Sequence, residues 1–268
     1  MKRSILILLT LIYPVFLFSQ ILNLDRTVEA DPSDTTKKKF AAVLGASFTS
    51  YQQKYSFVDE ALNFDLTYYM PKDHILVLSG KSDFTSTGGD VIQNLGYIHL
   101  RYRDNDTRIV SLEPFTQYQW NITLGLIQRY LAGCNLRIQL INNAKEDVYY
   151  GVGVMYENEK WNYNGVTNPD LIPPNAPIIN NDFYKTNQYI KGSFSINANC
   201  DIVDAVFLQN KISDFLNAYR LSDYLTFNIR ISKKFFFSVS ADIAYDNKPV
   251  VPITNPIYTF VSTISIKL

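Results

Sequence analysis

Histidine and cysteine are nearly missing from this 268-residue chain, with two copies of each. His74 and His99 are therefore its only imidazoles for acid–base or nucleophilic chemistry. His74 falls at an expected turn and His99 on an inward strand face, so neither has the nucleophile-and-base spacing of a hydrolase. No HExxH, no Cys/His metal spacing and no glycine-rich phosphate loop occurs. Asp104-Asn105-Asp106 matches a fragment of a calcium loop, but it lacks the glycine and the distal glutamate and reads as a plain turn. The expectation is a non-enzyme with no cofactor and no metal. Charge of one sign is lacking too. The 25 basic and 25 acidic residues cancel, which gives no electrostatic reason to expect nucleic acid as a partner. Beyond the N-terminus the chain also lacks any apolar run long enough to span a membrane as a helix.

The N-terminus carries a targeting pattern. Lys2 and Arg3 precede an apolar run from Ile5 to Phe18, interrupted by Pro14, that exits at Ser19-Gln20. A basic start, a short apolar core and a small polar exit make residues 1–20 an expected signal peptide rather than an anchor. Residues 21–38 are polar, include Asp31-Pro32-Ser33-Asp34, and read as a periplasmic lead-in without regular structure. Residues 39–268 remain for one folded unit. Export permits a disulfide, but Cys134 falls mid-strand and Cys200 at a turn, so both are expected to be unpaired.

What the chain has in abundance is aromatic residues and strict alternation. It holds 19 Tyr and 17 Phe. Between Ser111 and Trp161 three long runs alternate residue by residue. Tyr130, Ala132, Cys134, Leu136, Ile138 and Leu140 share one face, while Arg129, Asn135, Arg137 and Gln139 share the other. Period two is the mark of a strand. Runs of this length, apolar on one face and charged on the other, suit strands that cross a bilayer around a polar lumen, with the aromatics forming interfacial girdles. An exported chain with no helical span must close such strands into a barrel to satisfy its backbone.

The chain divides into about twelve such strands, an even number, although merging one pair would leave about ten. Outward sets include Ala42, Leu44, Ala46 and Phe48 in the first; Leu62, Phe64, Leu66 and Tyr68 in the second; and Leu76 and Leu78 in the third. The second is expected from Ala61, and the eighth from Gln188. Connections after even strands are terse, whereas those after odd strands include Thr85 to Asp90, a long Asn/Pro segment from Asn162 to Phe183, and Lys248 to Pro256. Short turns on one side and long loops on the other is the asymmetry of outer-membrane barrels. The fold class expected is an all-β, antiparallel, up-and-down transmembrane barrel, with outer-membrane lipid as its surroundings.

LEPFTQYQW, LIQRYLAGCNLRI and YYGVGVMYENEKW resemble the core of the outer-membrane family known as domain of unknown function 481, which includes salt-induced outer-membrane proteins. The later stretch from Ile212 to Val250 is similar to that family's closing segment, with Ala218-Tyr219-Arg220-Leu221 ahead of two long strands. The signal ending Phe18-Ser19-Gln20 resembles those of Bacteroidota. The resemblance implies a Gram-negative outer-membrane barrel, inserted by the assembly machinery, although the last residue is Leu268 where such barrels commonly carry Phe. It implies no chemistry.

Inward-facing charges are the remaining feature: Glu113, Arg129, Arg137, Glu157 and Glu159 on three neighbouring strands, with His99, Arg101 and Arg103 on the strand before them. They either fill the lumen as a paired network or line a path selective for a small solute. The extracellular loop, with Asn168, Pro169, Pro173 and Pro174, carries apolar Leu171-Ile172 and Ile178-Ile179, suited to docking on a partner or to folding inward as a plug. The expected role is a narrow pore for small solutes or a passive envelope component. The alternatives are a structural subunit of a larger envelope complex and, behind it, a barrel-type lipid hydrolase.

Overall fold

The computed structural model describes residues 39–52, 54–104, 108–255 and 257–267. The expected signal peptide and lead-in, the Asn105 and Asp106 of the calcium-like turn, and Leu268 lie outside the described residues. The strands are β1 (Phe40–Gln52), β2 (Ser56–Tyr69), β3 (Ile75–Thr87), β4 (Asp90–Arg103), β5 (Val110–Asn121) and β6 (Leu126–Asn142). They continue as β7 (Glu146–Trp161), β8 (Ile179–Asn197), β9 (Cys200–Lys211), β10 (Tyr219–Arg230), β11 (Phe235–Asp246) and β12 (Ile257–Lys267). Each pairs antiparallel with its chain neighbours. β1 closes the ring onto β12 through Val43↔Lys267, Leu44↔Ile266 and Gly45↔Ser265. Closure leaves no open edge, which is the condition for a sheet whose outer face is apolar.

Because side chains alternate, register fixes faces. The β6/β7 ladder sets Arg129 opposite Glu159, Leu131 opposite Glu157 and Leu136 opposite Val152. Leu62, Leu136, Val154, Ile190 and Phe260 lie outside and exposed. Glu113, Glu157, Glu159 and Arg129 lie inside and buried. The arrangement is inverted relative to a soluble barrel, whose apolar residues fill the interior. The outward Ala42 is covered by its neighbours and only 5% exposed.

Three boundaries differ from those read in the sequence. β8 begins at Ile179, not near Gln188, so the long loop spans 162–178. Asn180, Asn181 and Asp182 are poor strand formers, yet their backbones continue the ladder opposite Lys160, Glu159 and Asn158. The Asp182 carboxylate also accepts from Tyr156 Oη at 2.6 Å and Asn158 Nδ2 at 2.7 Å. β2 starts at Ser56 rather than Ala61. The connection expected from Thr85 to Asp90 shrinks to Gly88-Gly89, with φ of 63° and 95°, because positive φ at both central residues is what a two-residue hairpin turn demands. The long connections 162–178, 212–218 and 247–256 share one end of the barrel with this tight turn.

Candidate functional site

Inward positions on β4 to β11 build a continuous polar interior, and it has two centres. Near the short-turn end, Glu113 of β5 accepts from Arg103 Nε at 3.1 Å and from Tyr189 Oη at 2.9 Å, and lies 3.7 Å from Arg101. Tyr189 reaches Glu113 from β8 across Gly151, where any Cβ would overlap the tyrosine ring. Arg101 Nε donates to His99 Nε2 at 3.3 Å, which leaves the ring hydrogen on Nδ1, facing Gln117 Oε1 at 3.0 Å.

The second centre lies near the long-loop end. Glu157 is fully buried between Arg220 at 2.8 Å, Lys185 at 3.0 Å and Arg129 at 3.3 Å. Glu159 takes Arg129 Nη2 at 2.9 Å and lies 3.6 Å from Arg220, whose Nε also bonds Asp246 at 2.8 Å. Three cations thus face three carboxylates, the balance that ions withdrawn from water require. Gln119 joins the two centres, accepting from Gln117 at 3.3 Å and from Arg129 at 3.5 Å.

The eight charged or imidazole residues expected inside all face this interior, and Arg137 among them stands over the Tyr149 ring, 3.3 Å from its centroid. Lys185, Arg220 and Asp246, which complete the second centre, come from β8, β10 and β11 and were not anticipated. The inward parity of Arg220 and Asp246 was legible and that of Lys185, ahead of the strand read from Gln188, was not; nothing local pairs any of the three with β7.

Above the second centre the loops form a cap. Val166 of one loop and Val251 of another bury against Leu126 and Trp161, with Ile172, Val250 and Ile253 packed around them. Asn168 and Pro169 open a short 3-10 turn, in which Asn168 Oδ1 accepts from the Asp170 amide at 3.1 Å. Asn168, Pro169, Pro173 and Pro174 are exposed, so this part of the loop stands away from the interior. Loop 247–256 is tied down by Lys248, whose Nζ bonds Asp214 at 2.6 Å. That bond, with a second from Asn217, holds the Asp214 carboxyl below its ordinary range. Asn255 brackets the same loop by donating to the Asp246 carbonyl.

Cys134 and Cys200 are free thiols. Among the described residues no three His, Cys, Asp or Glu side chains converge in the manner of a metal centre. His74 lies 3.0 Å from Asp104 and 2.9 Å from Tyr102 Oη at the short-turn end.

No curated protein matches the chain. Among solved structures it is similar to the NanC porin, at 11% identity and a TM-score of 0.44 over 85% of this chain and 97% of that one. It is similar to CdiB from Acinetobacter baumannii at 11% identity and a TM-score of 0.31, over 86% of this chain and 48% of that one. A chain described as "Asymmetric conductivity of engineered proteins" follows at 7% identity and a TM-score of 0.24, over 85% and 97%. Nothing about solute or site is carried over at such identities. The family model for the protein of unknown function DUF481 matches residues 32–251, most of the chain, and the chain belongs to that family.

Proposed function

We propose that this chain is an outer-membrane β-barrel, exported by the signal peptide at residues 1–20, that forms a narrow pore for small solutes and is closed at rest by its own side chains. The outward leucines and aromatics suit lipid, and a closed ring leaves no backbone group unpaired there. One observation carries the closed state. Ion pairs and hydrogen bonds run without a break from Glu113 through Arg101, His99, Gln117, Gln119 and Arg129 to Glu159, Arg220 and Asp246. The reading requires no catalytic step. That the interior is ionic, and that its cap is held by loop side chains rather than by the strand ladder, favours a path that can open over a solid structural plug.

The test is single-channel conductance in a planar bilayer, comparing the full chain with a variant in which residues 162–178 are replaced by a short Gly-Ser linker. A silent full-length protein and discrete current steps in the variant are expected. Silence in both would sink the pore and favour the second reading, a passive structural subunit of an envelope complex, for which the buried ion network supplies rigidity alone.

A further inference from the structure

The connection from β9 to β10, residues 212–218, turns back over the outer face of the barrel wall, and Asn210 records the turn. Asn210 shares that face of β9 with Leu208 and pairs with the outward Tyr219, yet it is buried, and its Nδ2 donates to the Phe215 carbonyl at 2.9 Å. The 3-10 turn Ile212–Asp214 lies against β8. The connection holds three apolar side chains in the open, with Ile212 49%, Phe215 44% and Leu216 82% exposed. We infer that loop 212–218 is seated in the lipid of the outer leaflet at the barrel rim, and that from there it steadies loop 247–256 above the lumen. The inference rests on the lipid placement in the proposed function and is independent of whether the pore conducts.

Three observations support lipid as the occupant. The exposed side chains continue the apolar outer wall, where Leu208 pairs with Leu221 just below the loop and Tyr184 of β8 is 68% exposed. The loop's own charge is engaged elsewhere. Asp214 is the only charged residue of the segment, and its carboxylate takes Lys248 Nζ at 2.6 Å and Asn217 Nδ2 at 3.0 Å, which leaves no free charge to recruit a polar partner. Several backbone groups are also satisfied within the connection, as a segment entering lipid requires: the Asn217 and Ala218 amides donate to the Asp214 carbonyl, and the Lys211 amide to the Ala218 carbonyl. Those bonds stiffen the loop. Asn247 Nδ2 donates to the Asn217 carbonyl at 2.6 Å, so with Lys248 two residues of loop 247–256 hang on a segment that lipid holds from the other side.

The test puts a nitroxide on Leu216→Cys in the full chain, with Cys134→Ser and Cys200→Ser, reconstituted in phosphatidylcholine vesicles. Collisions with oxygen, which concentrates in the bilayer, are expected to exceed those with a water-soluble nickel chelate. At Asn168→Cys, an exposed position on another loop, the order should reverse. A label on Leu216→Cys that meets the chelate as readily as one on Asn168→Cys would overturn the inference, and one shielded from both relaxants would replace lipid with a second copy of the chain. The native Cys134, outward on β6 and labelled alone in Cys200→Ser, separates the two readings. If it meets oxygen while the loop label meets the chelate, this inference alone fails; if both meet the chelate, the lipid placement fails with it. For the link to the cap, Leu216→Asn leaves Asp214 and Lys248 in place and should lower amide protection in loop 247–256 in the same vesicles. Unchanged protection would overturn that link.

Discussion

Arg220 donates from Nη1 to Glu157 Oε1 at 2.8 Å across the lumen, joining β10 to β7, strands that are not neighbours in the ring. The same guanidinium holds Asp246 at the root of loop 247–256, so the interior and the cap meet at one side chain. Rigidity of the mouth follows from that shared node.

Glu157 has three cationic neighbours, so removing its charge strands them. Glu157→Gln is expected to cost about 3–5 kcal/mol, as for other broken buried pairs, read from urea unfolding in lipid vesicles. Lys185→Met alone also leaves an imbalance. Combined with Glu157→Gln it should cost clearly less than the two single losses added, since each removes the other's unpaired partner. Additive losses would mean that the three contacts at Glu157 do not act as one unit.

On the outer face, Leu136→Arg should destabilise the inserted barrel by about 2–4 kcal/mol if that position lies near the bilayer midplane. Asp204 and Asp223 are among the residues that break the apolar pattern there. Asp204 pairs with the outward Leu225, and Asp223 with Val206, which sets both carboxyls on the exterior between β9 and β10, within hydrogen-bonding reach of each other. Leucine at either position should therefore stabilise the protein in vesicles. A loss of stability from Asp223→Leu, measured by the same unfolding titration, would contradict the outward placement.

The Lys248–Asp214 bond gives the cap a pH dependence with a definite sign. Because Asp214 titrates below its ordinary range when folded, the bond contributes above the usual aspartate pKa and is lost as pH falls through the depressed value. Both side chains are partly exposed, so salt should weaken the effect. Protection of the amides in loop 247–256, taken relative to their intrinsic exchange rates at each pH, should fall under acid in the native chain, and in Asp214→Asn should already be low at neutral pH.

Much of the fold was legible because a strand's faces need only alternation. Arg129, Asn135 and Arg137 against Leu136 and Leu140 settle the inside of β6 without knowledge of any partner. The interior network was legible only as a set of inward charges. Arg220 and Glu157 lie 63 positions apart on non-adjacent strands, and only barrel closure brings them together. The start of β8 was hidden because Asn180, Asn181 and Asp182 carry loop composition, while their ladder to β7 and the Asp182 contacts hold them extended. Gly88-Gly89 was a turn signal in plain view. So were Asp204 and Asp223, whose parity matches their apolar neighbours Val206, Leu221 and Leu225.

The chain's two tryptophans lie on opposite faces, with Trp120 outward on β5 and Trp161 buried inside on β7. Quenching by lipids brominated on the acyl chains therefore tests the inside-out arrangement most directly. In vesicles of such lipid, the Trp161→Phe variant should lose most of its emission, because Trp120 meets the acyl chains. The Trp120→Phe variant should keep its emission, because the wall of the barrel shields Trp161. Equal quenching of the two, or protection of Trp120, would contradict an apolar outer face in lipid around a closed polar interior.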